Sequence, residues 1–361
     1  MSTQVLITGA YGRAGTELAQ ALARQEAEFD LTLCGRNREK LCALAGALPQ
    51  SSRVHTRVAG LGQAAALAEG MAPGAVWINC APWPDSGYDD LARGIVRAGV
   101  VYLDIQPSSD KFEAFDEAFT RNPDSPACVA LEAGISPGSE GLMANALSRE
   151  LERIDELTLD VAMRDNAIPD AGLTDILAHL TQPAMLWRGG RWRRALVTAL
   201  RSRRAAPGFT GMAAPAWMPE LDEFARNHQP GHLHCYYIAP SGPVGLVLAL
   251  GYVIGLVRFA VGRRWLLPLL RWAFARLRPP FGFALRGSVR GEANGEAVRR
   301  CMTLQFDDLY EATVTPVVAA TQMLAEGIVP RQQLACFGNQ FEGRALVDRL
   351  PRGEVRVEEE Q

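Results

Sequence analysis

Lysine is almost absent from this chain of 361 residues, which holds only Lys40 and Lys111. With none between Lys111 and Gln361, a lysine general base in the later part of the chain is excluded. Histidine is also scarce, at five residues, and no HExxH pattern occurs. The seven cysteines (34, 42, 80, 128, 235, 301 and 336) are scattered without CxxC spacing. They read as reduced thiols, neither a disulfide framework nor a thiolate metal site. The longest charge-free apolar stretch, 244–257, has fourteen residues, short of the ~20 that span a bilayer. No basic, apolar leader precedes the first strand signal at residues 4–8, so a cytoplasmic location is expected.

What is present is globular, with 48% hydrophobic and 21% charged residues and length for two domains. The net charge of −3 conceals a division. Residues 176–291 carry sixteen arginines against Glu220, Asp222 and Glu223, or +13, so the remainder carries −16. A basic segment on an acidic protein suits an anionic partner, unless its arginines pair with acids elsewhere.

The N-terminal residues carry the sharpest signal. An apolar strand, Val5 to Thr8, runs into Gly9, Ala10, Tyr11, Gly12, Arg13, Ala14 and Gly15, and a helical apolar pattern follows. Gly9 permits a tight turn, Gly12 lets backbone approach a pyrophosphate, and Gly15 lets the helix pack on the strand. A dinucleotide site is predicted. The second strand, residues 31–35, ends in Arg36, Asn37 and Arg38, where NAD-preferring sites place an acid for the ribose 2′-hydroxyl. A guanidinium suits a 2′-phosphate, so NADP is the expected cofactor, the competing reading being a surface arginine with Glu39 on the ribose.

Further strand signals at 75–80, 100–104 and 127–132 alternate with helical patterns at 64–70 and 89–98. The fold class expected is α/β, a doubly wound parallel sheet plus a second α+β domain. Ligands of such sheets lie beyond the strand carboxyl ends, which nominates Asn79 to Trp83 (with Ala81 and Pro82) and Asp104 to Ser108 as pocket walls. Ser136 is read as a helix N-cap with Pro137 at the first helical position.

In order, the glycine turn, residues 35–41 (GRNREKL), the Asn79–Pro82 turn, the Tyr102–Asp104 strand and residues 133–138 (AGISPG) resemble the saccharopine dehydrogenase-like oxidoreductases. The resemblance covers about residues 1–145. It implies a Rossmann domain, a pyridine nucleotide and hydride chemistry, followed by an α+β domain and a C-terminal piece returning to the first domain. Domains at 1–135, 136–315 and 316–361 are expected, with homodimerisation by analogy. Family substrates range from amino-acid imines to unsaturated lipid thioesters.

In the later part, His228, His232 and His234 fall within seven residues, and a strand would project His232 and His234 to one face. They read either as pocket histidines that protonate a reduced substrate or as a loop-to-strand junction without chemistry; no metal is expected. Residues 244–278 are apolar, bear tryptophan and are studded with arginine. That composition fits a helix in a membrane interface, a core helix or a lid over an apolar pocket. Residues 187–204 hold seven arginines and two tryptophans, but without a nucleic-acid fold signature no nucleic-acid partner is expected. Alternation over 283–309 around Asn294-Gly295 predicts a β-hairpin. The tail predicts a helix from Glu311 to Ile328 and a weak strand at 354–357.

The leading expectation is an NADP-dependent oxidoreductase reducing a C=C or C=N bond of a small-molecule substrate, hydrophobic with an anionic group. Candidate proton donors are Tyr102, Asp104, His232 and His234. The alternatives are a lipid-surface protein without turnover on the same scaffold, and a saccharopine-type imine dehydrogenase.

Overall fold

The computed structural model describes residues 2–25, 29–49, 53–63, 67–68, 70–83, 87–106, 111–166, 168, 170–179, 184–195, 200–253, 259–350 and 358–360. The chain divides into two compact units: residues 1–142 with 313–350, and residues 143–312 with 351–361.

The first unit is built on strands β1 (Thr3–Thr8), β2 (Phe29–Gly35), β3 (Arg53–Val58), β4 (Val76–Asn79), β5 (Val101–Asp104) and β6 (Cys128–Leu131). They lie in the order β6-β5-β4-β1-β2-β3 and every pairing is parallel. The short strand Leu334–Cys336 returns from late in the chain to pair with β6, also in parallel. The central strands are apolar on both faces, as burial between helical layers demands: Val5, Leu6 and Ile7 of β1 and all of β4 and β5 are buried. Helix α1 (Arg13–Ala23) buries Leu18, Ala19, Leu22 and Ala23, a stripe at helical spacing. Helix α2 is Arg38–Ala47. Helices α3 (Tyr88–Ala98) and α4 (Lys111–Arg121) supply Leu91, Ile95 and Phe115 to a core shared with Trp77 and Tyr102.

One local prediction is corrected here. Helix α5 (Ser139–Leu147) starts three residues after Ser136, so Ser136 is not its N-cap and Pro137 is not its first residue. The Ser136–Pro137 bond is cis and Gly138 sits at φ 133°. This turn folds so tightly that a Cβ on Gly138 would lie 2.3 Å from the Gly134 carbonyl oxygen. The helix can begin only beyond it.

The second unit is a mixed sheet. Strands β7 (Arg153–Arg164), β8 (Met185–Arg188), β9 (Trp192–Arg194), β10 (Arg201–Ala206), β11 (Phe209–Pro215), β12 (His232–Ile238), β13 (Gly282–Ala293) and β14 (Glu296–Phe306) form it. Its path runs β10-β11-β12-β7-β13-β14, with β8 paired to β12 and β9 to β8. The sheet expected as antiparallel is so except where β12 lies parallel to β7. The predicted hairpin is β13–β14, in continuous register from Phe283↔Phe306 to Ala293↔Glu296. Asn294 (φ 54°) and Gly295 (φ 77°) form its two-residue turn, the left-handed geometry that makes Asn-Gly a hairpin signal.

Helix α6 (Asp170–His179) packs with α8 (Pro243–Val253) and α9 (Ala260–Phe274) around Leu173, Leu177, Val244 and Leu270. Helix α7 (Pro219–His228) precedes β12, and α10 (Leu309–Ala325) leads back into the first unit. The tail helix expected over Glu311–Ile328 spans Leu309–Ala325, and Gly327 (φ 84°) follows just beyond its end. The strand signal at 354–357 and Ser108 lie outside the described residues; a strand is present at Glu358–Glu360.

Candidate functional site: a glycine turn and a buried carboxylate hub

At the carboxyl end of β1 the chain turns through Gly9, whose φ of 73° disfavours any other residue. A Cβ there would also come within 2.8 Å of the Ala81 amide nitrogen. The turn is closed by Gly12 N–H donating to the Gly9 carbonyl at 2.9 Å and Ala10 N–H donating to Cys34 at 3.1 Å. Gly12 is the N-cap of α1, no side chain caps that helix, and no acid stands in its first turn. The positive end of the helix dipole is therefore not offset by an acid of the helix's own first turn. Gly15 sits where a Cβ would be 2.4 Å from the Gly9 carbonyl oxygen and 2.8 Å from Ala10 Cα. Ala10 is buried, Tyr11 and Ala14 are half-buried, and Gly12 and Arg13 are exposed.

Arg36 stands exposed directly after β2. Its stem runs beside Gly60, whose added Cβ would lie 3.7 Å from Arg36 Cγ. Asn37 is committed locally, as N-cap of α2, its side chain accepting from Lys40 N–H at 3.0 Å. The Lys40 ammonium lies 5.6 Å from the Tyr11 ring centroid, a second cation beside the turn that sequence reasoning passed over.

The ends of β4 and β5 are joined by one carboxylate. Asp104 is fully buried. Its Oδ1 accepts from Gln106 N–H at 2.9 Å and from Asn79 Nδ2 at 3.2 Å. Its Oδ2 accepts from Trp83 Nε1 at 2.5 Å, Lys111 Nζ at 2.9 Å and the Tyr102 hydroxyl at 3.1 Å. Asn79, also buried, holds the following loop by accepting from Ala81 N–H at 3.1 Å and donating to the Ala81 carbonyl at 2.9 Å. Thr8 at the end of β1 donates to Asn79 Oδ1 at 2.8 Å. Ala81 is half-buried and Pro82 exposed. Burial pushes the Lys111 pKa down, while Asp104 and then Glu132 favour its charge. Burial, with the Asp104 charge next, pushes the Tyr102 hydroxyl well up.

Lys111 was not among the residues singled out as site candidates, and Trp83 was named only as a pocket wall. The one available signal was the near-absence of lysine, which made Lys111 worth a partner search seven residues back along the chain.

The candidate proton donors fall in different units. Tyr102 and Asp104 are buried inside the first, the Tyr102 hydroxyl donating to a carboxylate that also accepts from Asn79, Trp83, Gln106 and Lys111. His232 and His234 lie on β12 of the second, ring centroids 5.9 Å apart, with His232 exposed. His234 Nε2 is buried without a hydrogen-bond partner, and Nδ1 lies 3.7 Å from Glu156. Burial, with Arg188 adding to it, pushes the His234 pKa down to about 4, so the ring is neutral at pH 7. The folded pKa lies below the unfolded one, so the unfolded chain alone takes up this proton as pH falls. Stability is therefore expected to drop by up to about 3 kcal/mol between pH 6.5 and 4, and this contribution levels off below 4. Urea unfolding against pH checks this, with His234→Gln expected to flatten that part of the curve.

In the second unit, a cavity of about 260 Å³ is lined by Asp160, Ser202, Arg203, Arg204, Arg286, Ser288, Arg299 and Cys301. Arg203 clamps Asp160 through both its Nε and Nη2 and lies 4.4 Å over the Tyr236 ring. Four guanidiniums against one carboxylate leave a net positive cavity. Among the described residues, no group of histidines, cysteines and acids is arranged to hold a metal ion.

The strand order β3-β2-β1-β4-β5-β6, with a glycine turn between β1 and α1, defines a Rossmann dinucleotide-binding domain. Residues 5–129 match the family model described as the saccharopine dehydrogenase NADP binding domain. No curated protein matches the chain. Among solved structures, similarity extends to myo-inositol 2-dehydrogenase from Lactobacillus plantarum (11% identity, TM-score 0.44, 97% of this chain and 95% of that one). A myo-inositol dehydrogenase from Corynebacterium glutamicum is similar at 11% identity and TM-score 0.45 over 99% of both chains. An engineered D-amino acid dehydrogenase bound to NADP+ is similar at 13% identity and TM-score 0.42 over 91% of both. The fold assignment rests on the strand order itself.

Proposed function

We propose that the protein is an NADP-dependent oxidoreductase that reduces a C=C or C=N bond of a hydrophobic substrate carrying an anionic group. The observation that carries the cofactor choice is Arg36, exposed immediately after β2 and with no acid at that strand end. Gly9, Gly12 and Gly15 would admit the pyrophosphate at the start of α1, and Arg36, with Lys40 nearby, would meet the 2′-phosphate. The bound nicotinamide supplies the hydride; the chain supplies its placement. The hub around Asp104 fixes Ala81 and the loop beyond β4, where a ligand of this sheet lies. The arginine-lined cavity of the second unit supports the anionic group on the substrate.

Binding of NADPH and NADH, followed by nicotinamide fluorescence, tests the reading. Wild type is expected to hold NADPH at least about tenfold more tightly, the scale of one charge-assisted contact, and Arg36→Ala to erase the difference. If neither nucleotide binds at millimolar concentration, the oxidoreductase reading fails.

A further inference from the structure

Helix α9 is apolar on two sides. Leu266, Leu270, Ala273 and Phe274 turn inward, onto Leu173, Leu177 and Val244. Val261, Trp265, Leu269 and Trp272 follow at spacings of four, four and three, which sets them in a second stripe along the same helix. That stripe faces solvent: Trp265 is 73% exposed, Val261 68%, Leu269 51% and Trp272 49%. Phe259 just before α9 (68%) and Leu246 on α8 (62%) add to it. These six are the majority of the ten large exposed hydrophobics among the described residues, so the exposure is concentrated in one helical pair.

The charge around the stripe has one sign. No acid occurs between Glu223 and Glu292, while Arg263, Arg264, Arg271, Arg276 and Arg278 fall in or just after α9. On the helical wheel Arg264 and Arg271 flank the stripe on the side away from the buried face. The Arg276 guanidinium lies 4.2 Å over the Trp272 ring. Among the described residues no helix is long and apolar enough to cross a membrane. A short helix with Trp and Leu on one face, arginines along its border and no acid suits a single surface: an interface whose apolar interior takes the stripe and whose anionic headgroups take the guanidiniums.

We propose that α9 docks the protein onto an anionic lipid bilayer surface, lying in the interface plane with Val261, Trp265, Leu269 and Trp272 toward the acyl chains. This stripe belongs to the second unit and the nucleotide turn to the first, so flotation tests the proposal without relying on the cofactor reading. Flotation of the full chain is measured with vesicles of phosphatidylcholine alone and of phosphatidylcholine with an equal part of phosphatidylglycerol. The chain is expected to float with the anionic vesicles only, and raised salt to weaken it. Trp265→Ser/Leu269→Ser and Arg264→Gln/Arg276→Gln are each expected to lower the bound fraction about tenfold or more. Both are to be compared with wild type in thermal midpoint and NADPH affinity, so that lost flotation is separated from misfolding. Absence of flotation, or flotation unchanged by Trp265→Ser/Leu269→Ser, overturns the proposal. So does a wild-type dimer that this variant converts to monomer without any vesicle binding, since a second copy would then be what covers the stripe.

Discussion

Asp104→Ala is expected to cost the fold about 3–5 kcal/mol, the range for removing one partner of a buried ion pair. The loss arises from what remains. Lys111 keeps a buried ammonium 2.9 Å from a vanished acceptor, and the donors of Trp83, Tyr102, Asn79 and the Gln106 amide lose theirs as well. Lys111→Met in the Asp104→Ala background removes the orphaned charge, so the double variant is expected to be more stable than Asp104→Ala alone. It should still fall short of wild type, because four uncharged donors stay unmet. Chemical denaturation of the four proteins of this cycle checks it. A double variant no more stable than Asp104→Ala would mean that the Lys111 charge is already relieved in the fold.

The second large effect is expected at the glycine turn. Gly15→Ala places a methyl 2.4 Å from the Gly9 carbonyl oxygen and 2.8 Å from Ala10 Cα, both backbone atoms that no rotamer change can move. Helix α1 must retreat from β1, moving its N-terminus away from where the proposed cofactor's pyrophosphate would sit. Nucleotide affinity is expected to fall about a hundredfold or more, near 3 kcal/mol. Gly46→Ala is the matched control: it also lies in a helix, nothing stands within 4 Å of its added Cβ, and it is expected to gain up to about 1 kcal/mol in stability with nucleotide binding unchanged. Titration with NADPH, beside thermal melts of both variants, separates the two.

What could be read from residues alone was local chemistry. The strand, glycine turn and helix at 5–23 carry their own geometry, as do the hairpin at Asn294-Gly295 and the helix stop at Gly327. Arg36 was legible because a strand end and a charge are neighbours in the chain. The hub was less so. Asp104 and Asn79 were nominated as pocket walls, but their side chains meet each other because β4 and β5 lie side by side, and Asp104 is further taken up by Lys111 and Trp83. Sequence gives the strand ends but not which polar groups the pairing brings within 3 Å. The parallel contact of β7 with β12 likewise joins segments about seventy residues apart, and alternation within a strand is blind to the direction of its neighbour. Ser136-Pro137 misled for the opposite reason: it is a familiar helix-opening pair placed inside a turn whose tightness is set by Glu132, Gly134 and Gly138.

The late strand Leu334–Cys336 has a bearing on how the protein is made. It covers the outer edge of β6, flanked by Gln333, which takes the Val129 amide at 2.7 Å, and Gln340, which donates to the Val129 carbonyl at 2.8 Å. About two hundred residues are synthesised between β6 and that strand, which at translation rates of 5–20 residues per second is about 10–40 s. For that interval the nascent first unit presents an open parallel edge while residues 143–312 of the second unit leave the ribosome. A messenger truncated before codon 334 would yield a nucleotide turn intact in sequence on a sheet that never receives its last strand.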